Sequence, residues 1–358
     1  MDVQGPPRWG LRPDPGEVLA PEVVADRCVH SRLEQASCRA CVDACPRGAF
    51  VLDDERLGIA TARCDGCGLC VPACPQGAIL GAFAPVTYPI EGAPVAFAAC
   101  EVALPHIGDP GVMPCLHALG LRALLALRHA GVTRLVLARG DCAACPRRGA
   151  TPIDAHLEVI RQILDSRGLA VLLPIALDAH AWLDARKLAA DRPKPGLDRR
   201  AFFRRARDVV VEQVVRRAEQ VAAPNGAMPN TAPGLWFATT GAGQVVPFLP
   251  EIDAGLCTGC DTCARLCPEG AIRVEPNAYR LEPDACTGCR VCMDVCTQGA
   301  VTLGILGIPS HTLLPLYPGR CPACGVRFHS PRPDGQRGGL CTVCQTTGHH
   351  RRLFQVFD

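Results

Sequence analysis

Cysteine is the residue type through which this chain can do chemistry: 24 of its 358 residues are cysteines, and their spacing sorts them into groups. The run C-x2-C-x2-C-x3-C occurs at Cys64, Cys67, Cys70 and Cys74, at Cys257, Cys260, Cys263 and Cys267, and at Cys286, Cys289, Cys292 and Cys296. Four thiolates within eleven residues are the donor set of a 4Fe-4S centre. Three of them curl a short loop around one face of a cubane, and the fourth points away. Zinc would favour two separated C-x2-C knuckles instead. A shorter run, Cys38, Cys41 and Cys45, has Gln35 where its first cysteine would stand, and Cys28 lies upstream with nine residues before Cys38.

These runs are internal repeats. Cys45 to Cys64 and Cys267 to Cys286 each enclose 18 residues, and CPRGAF, CPQGAI, CPEGAI and CTQGAV begin at the four last cysteines. A proline after that cysteine turns the chain away; Pro75 and Pro268 fit this pattern, whereas Thr297 departs from it. On these motifs, residues 28–83 and 251–304 each resemble the bacterial two-cluster ferredoxins, two short βαβ-like halves related by pseudo-symmetry. The resemblance implies crossed ligand sets, because in paired modules the fourth cysteine serves the other cluster. Cluster one would take Cys28, Cys38, Cys41 and Cys74, and cluster two Cys64, Cys67, Cys70 and Cys45. Cluster three would take Cys257, Cys260, Cys263 and Cys296, and cluster four Cys286, Cys289, Cys292 and Cys267. For Cys28 two other readings stand open: an ordinary buried thiol, or a three-iron cluster that lacks this ligand.

Between these modules, residues 84–185 change character. Apolar runs ending at VAFAAC, VMPC, TRLVLARG and LAVLLPIAL alternate with the helical patterns LHALGLRALLALRHAG and HLEVIRQILDSRG, the mark of a small parallel α/β layer. Sites in such sheets gather at the carboxyl ends of strands, where Cys100, Cys115, Cys142 and Cys145 fall. The stretch resembles the delta subunit of methyl-viologen-reducing hydrogenases, a flavodoxin-like domain carrying an iron-sulfur cluster that passes electrons to a heterodisulfide reductase. The likeness rests on Cys100 at the first strand end, the V-x-P-C strand, and the GV-T-x-LVLARG-x-C-x-x-C strand with its following helix; a paired-cysteine motif of that family is here the single Cys100. It implies a 2Fe-2S cluster on the four cysteines, with 4Fe-4S, zinc and inert buried thiols as the alternatives.

Residues 186–250 read as a basic linker helix and loop, with Arg199, Arg200, Arg204, Arg205, Arg207, Arg216 and Arg217 around Phe202, Phe203, Val210 and Val214. Either this is a solvated face packing its apolar side on a neighbour, or it docks to an acidic partner. LDRRAFFRR looks like a twin-arginine export motif, but it is internal and no apolar stretch follows it. In the tail, 305–358, Cys321-x2-Cys324 and Cys341-x2-Cys344 are two knuckles at zinc-ribbon spacing. Four thiolates make a closed structural site, and the likeness to zinc ribbons, and distantly to rubredoxin, implies zinc or a single iron. His329, His349 and His350 are expected at the surface.

Composition sets limits. Aromatics are 4% of the chain while Gly and Pro number 35 and 33, so much of it is loop held by something other than aromatic packing. A net charge of +2 supplies no broad basic field, which argues against nucleic acid as partner. No apolar run reaches the roughly 18 residues of a membrane span, since even GLRALLALRHAGVTRLVLARG carries Arg122, Arg128 and Arg134. The Pro-rich segment 1–27 shows no apolar leader, which favours a cytoplasmic chain of free thiols over disulfides. No GxGxxG, P-loop, HExxH or GxSxG motif appears.

The expected fold is α+β multidomain: two ferredoxin-like modules flanking a small parallel α/β domain, closed by a ribbon. The expected role is an electron carrier without substrate chemistry of its own, relaying single electrons between a donor and an acceptor enzyme. Alternatives are an accessory ferredoxin-type protein for maturing a molybdoenzyme, or the iron-sulfur subunit of a formate dehydrogenase, hydrogenase or heterodisulfide reductase-like complex. Anaerobically purified protein is expected to contain about 18 iron atoms and about one zinc ion per chain by inductively coupled plasma mass spectrometry. About 16 iron atoms with about two zinc ions would move the central site to zinc, and far less iron after reconstitution would remove the cluster assignment.

Overall fold

The computed structural model describes residues 20–52, 57–81, 83–105, 109–147, 152–191, 232–237, 241, 243–333 and 339–348. The Pro-rich residues 1–19, the arginine and phenylalanine positions of the linker between 199 and 217, and His349 and His350 lie outside them.

Both cysteine modules are assembled from elements too short to stand alone. In the first, the strands Glu22–Val23 and Ile79–Leu80 pair antiparallel, and Phe50–Leu52 forms a hairpin with Leu57–Ile59. Two helices, Ala40–Asp43 and Cys70–Ala73, are single turns. The second module repeats this plan with Val246–Ile252 on Val301–Gly307, Ile272–Glu275 on Ala278–Leu281, and the helices Thr262–Arg265 and Val291–Asp294. One-turn helices lie far below the length at which a helix holds itself. What holds them is shared burial: Cys41, Phe50, Cys70 and Ile79 form one small core, and Cys263, Ile272, Leu281 and Val301 another. Cysteines are therefore core residues in both.

The long strand pair of the second module runs past 251–304 at both ends, from Val246 to Gly307. Pro247 and Pro250 obscure it in the sequence, and it tolerates them because a two-stranded sheet has only edge strands. Leu313–Pro315 then returns to pair with Ala278–Leu281 before the tail begins its own hairpin, Tyr317–Arg320 with Arg327–Ser330.

The central domain is a sheet in which Ala93–Cys100, Arg134–Ala138 and Leu173–Ala176 run parallel. Val86–Ile90 adds an antiparallel edge through a two-residue turn whose Glu91 and Gly92 both have positive φ; Pro89 hides this strand in the sequence. Alternate residues of Ala93–Cys100 serve opposite faces. Ala96, Ala98 and Cys100 meet Leu124 and Leu125 of helix Leu121–His129 and Ile153, Leu157, Ile160 and Leu164 of helix Ile153–Asp165. Val95, Phe97 and Ala99 meet Trp182 and Ala189 of helix Ala179–Asp191. Burial on both faces explains why this strand reads as one unbroken apolar run. The third helix extends past residue 185, and its third turn brings Ala189 down onto the sheet. Gly120, at the start of helix Leu121–His129, has an ordinary extended backbone, but a Cβ there would sit 2.2 Å from Pro72 Cβ. Glycine is required because the first module packs directly against this helix end.

Trp182 is fully buried, donates Nε1–H to the Val136 carbonyl at 3.1 Å, and stands edge-on to Phe97 at 6.1 Å. Trp182→Ala is expected to destabilise the central domain by about 3–5 kcal/mol in urea unfolding followed by circular dichroism. The visible absorption of the flanking modules should survive at urea concentrations that unfold the sheet.

Candidate metal centres

All 24 cysteines are free thiols. The four CxxGA segments share one backbone device. The N–H of the fourth residue returns to the cysteine carbonyl, from Gly48 to Cys45, Gly77 to Cys74, Gly270 to Cys267 and Gly299 to Cys296, at 3.0–3.3 Å. Each of these glycines has φ between 55° and 63°. A Cβ at Gly48 or Gly299 would meet nothing within 4 Å, so the left-handed backbone, and not lack of space, demands glycine. This turn aims the next N–H at the sulfur: Ala49 at Cys45 Sγ (3.3 Å), Ala78 at Cys74 (3.2 Å), Ala271 at Cys267 (3.2 Å) and Ala300 at Cys296 (3.3 Å). Such donors favour a thiolate, the form in which cysteine binds metal.

Within each module, thiols of the two cysteine runs stand near one another. Burial pushes the Cys41 thiol up to about 12, and Cys74, Cys38 and Cys28 push it the same way. Cys28, buried between two 3-10 turns, is therefore beside the first loop despite the long gap. The gap is bridged by Leu33 N–H to the Val29 carbonyl (2.9 Å) and by His30 Nε2–H to the Cys38 carbonyl (2.7 Å). Burial also raises Cys70, which faces Cys67 and Cys64. In the second module burial pushes Cys263 up to about 12 with Cys257, Cys260 and Cys296 around it, and Cys292 up to about 12 with Cys289, Cys286 and Cys267 around it. Buried thiols raised by one another are groups that lose their protons readily only to metal. The donor set, its burial and the amides aimed at its sulfurs fit 4Fe-4S centres.

In the central domain, Cys100, Cys115, Cys142 and Cys145 line one open cavity at the carboxyl ends of the strands. Gly140 N–H bonds Cys100 Sγ at 3.2 Å. Burial pushes Cys115 up to about 11, with Cys145 and Cys100 adding to it. Cys142 is exposed. Cys115 also packs on Cys67 and Leu69 of the first module. Arg147 locks this contact: it pairs with Asp65, between Cys64 and Cys67, at 3.1 Å, with Glu101 beside Cys100, and with the Pro114 carbonyl at 2.8 Å.

The tail differs in scale. The sulfurs of Cys321, Cys324, Cys341 and Cys344 all lie within 4.8 Å of one another, the one such group of three or more metal-ligand side chains among the described residues. A tetrahedral ion about 2.3 Å from each sulfur requires S–S edges of about 3.8 Å, and Cys324 and Cys341 stand at 3.7 Å. Against the upward push of burial, backbone N–H groups of Cys341, Cys324 and Ala323 bring Cys321 down to about 6. His329 is half-buried and takes no part in this set. It holds Asp261 of the second module at 2.8 Å, an oxygen that Tyr279 O–H also bonds at 2.8 Å. Gly259 admits this docking, since a Cβ there would lie 2.3 Å from the His329 carbonyl.

Sequence spacing does not reveal His30, Arg147, Gln76 or Asp261. Each acts through a partner distant in sequence or through a loop of unrepeated length, and the position of Gln76 within CxxGA is Arg47, Glu269 and Gln298 in the other three copies. Glycine and alanine of CxxGA are the exception, since their fourfold recurrence is visible in the chain itself.

Residues 36–79 match the model of a 4Fe-4S dicluster domain, and residues 249–300 match a second 4Fe-4S dicluster domain. The first match starts one residue after Gln35, leaving Cys28 outside it, whereas the second includes all eight cysteines of its module. No curated protein matches the chain. Two dicluster domains and many cysteines support an iron-sulfur electron-transfer role. No helix among the described residues is long and apolar enough to cross a membrane.

Cys28→Ser tests the irregular ligand. Because Cys28 stands beside Cys41, the variant is expected to lose about one iron atom per chain and to show the EPR signal of a three-iron centre after oxidation. Unchanged iron content and spectrum would return Cys28 to the ordinary buried thiols.

Proposed function

We propose that the chain is a multi-centre wire that carries single electrons between two redox enzymes. When bound, the clusters supply reversible one-electron chemistry, with no bond made or broken in the protein. Cys28, Cys38, Cys41 and Cys74 would hold the first centre; Cys45, Cys64, Cys67 and Cys70 the second. Cys257, Cys260, Cys263 and Cys296 would hold the third, and Cys267, Cys286, Cys289 and Cys292 the fourth. Cys100, Cys115, Cys142 and Cys145 would hold a 2Fe-2S cluster, and the tail a zinc ion.

One observation carries this reading: the cysteine sites touch in series. The central cavity meets the Cys64 loop through Arg147, Asp65 and the Cys115–Cys67 packing. Ser37, next to Cys38, bonds both carboxylate oxygens of Asp294, two residues from Cys292, at 3.0 and 2.6 Å. The exposed Cys142 sets one end of the series at the surface, where a partner enzyme would exchange electrons. The reading also takes the central domain as akin to the hydrogenase delta subunit, so the partner would be a cytoplasmic redox complex of hydrogenase or molybdoenzyme type.

Replacing Cys142 and Cys145 with serine is expected to abolish the 2Fe-2S EPR signal, leave the 4Fe-4S signals intact, and cut electron transfer from the chain to its partner at least tenfold. Normal flux in a folded variant lacking the central metal would refute the relay and leave the domain as a docking scaffold.

A further inference from the structure

Buried polar side chains are scarce in this molecule. Among the described residues only Gln76, Thr287 and Ser330 are polar and buried, and the first two, at 3% exposure each, bond to one another across 211 positions of sequence. Gln76 Nε2–H donates to Thr287 Oγ1 at 2.6 Å. Replacing such a pair by apolar groups of the same shape costs little and often stabilises, so docking alone does not require it.

What the pair faces is a cluster ligand. Thr287 lies between Cys286 and Cys289. Thr287 lines one small cavity with Cys267, Cys286, Cys289 and Cys292, and once its oxygen accepts from Gln76 its own hydrogen is left for an acceptor there. Hydrogen bonds in series polarise one another.

Comparison of the repeats shows why this donor comes from the other module. Two residues after its cysteine, Arg47 reaches Asp65, between Cys64 and Cys67, within its own module at 3.3 Å. The matching residue for the fourth centre is Glu269, whose carboxylate has no hydrogen to give. Gln76 supplies one instead. It is steered there by the Ser37–Asp294 clamp and by Arg122 of the central domain, whose guanidinium bonds the Pro75 carbonyl.

We infer that Gln76, carried by the first module, is a positioning residue of the second module's centre on Cys267, Cys286, Cys289 and Cys292, raising its reduction potential through Thr287 and the Cys289 sulfur. The inference rests on the assignment of an iron-sulfur centre to those four cysteines. Reduction adds negative charge, and a donor to a ligand sulfur stabilises the reduced form, so losing it lowers the potential. The potential of that centre thus depends on the two modules being docked.

The test is an EPR-monitored redox titration of the full, reconstituted chain, with Cys289→Ser identifying which signal belongs to this centre. Gln76→Leu and Thr287→Val are each expected to shift the reduced-to-oxidised ratio of that centre at least tenfold toward oxidised, about 59 mV for one electron. The other three 4Fe-4S centres should not move, and Thr287→Ser should keep the native value. If either variant fails to fold by circular dichroism, the other decides. Unchanged potentials in a folded variant, even one of lowered melting temperature, would overturn the inference while leaving the wire intact; a native protein with no Cys289-dependent signal would overturn both.

Discussion

Iron-thiolate bonding is the constraint on which both cysteine modules depend. Their helices are single turns and their cores are a few residues each, with cysteine among the members. Surface-to-volume scaling leaves units of this size short of apolar burial. The fold therefore places buried thiols face to face, where each makes the next harder to ionise, as at Cys41, Cys263 and Cys292. Metal removes those protons, and its binding free energy becomes folding free energy. The amide donors from Ala49, Ala78, Ala271 and Ala300 prepare the sulfurs for that charge, and the left-handed glycines before them set the direction.

The same loops also join the molecule together. The residue after the first cysteine of a C-x2-C recurs at the contacts: Asp65 takes Arg147 from the central domain, Thr287 takes Gln76 from the first module, and the Thr258 carbonyl accepts from Thr342 of the tail at 3.5 Å. This spacer lies between two cysteines of its run, so a neighbour that docks there approaches a sulfur without entering its site. Docking and electrostatics of the centres are thereby coupled. Arg147 shows the strength of the arrangement, since it satisfies two carboxylates and one carbonyl while mostly buried; removing it would take this partner from Glu101 and leave Asp65 with the more exposed Arg47.

The central domain stands on different physics. Its sheet is covered on both faces by aliphatic side chains and by Trp182, a core that does not need metal. Its cysteines occupy the strand ends, where side chains can converge without breaking the ladder. Its thiol site is open and partly exposed.

Much of this organisation follows from the chain alone. Cysteine spacing and the fourfold CxxGA are local signals: a turn that aims an amide at a sulfur four residues away is specified by the residues inside it. The alternation of apolar runs and helical periods likewise marks a parallel sheet, because burial on two faces leaves a continuous pattern. The edge strand Val86–Ile90 and the full length of Val246–Ile252 are not legible, since prolines that an edge tolerates read as breaks. For Cys28 the sequence leaves a place beside Cys41 as one of three readings, and it does not say that Arg147 binds Asp65 or that Gln76 reaches Thr287. Those contacts join residues separated by loops of unrepeated length or by whole domains, and only packing brings them within hydrogen-bond range. Local geometry thus wrote the metal sites into the sequence, whereas the connections between them exist only in the assembled fold.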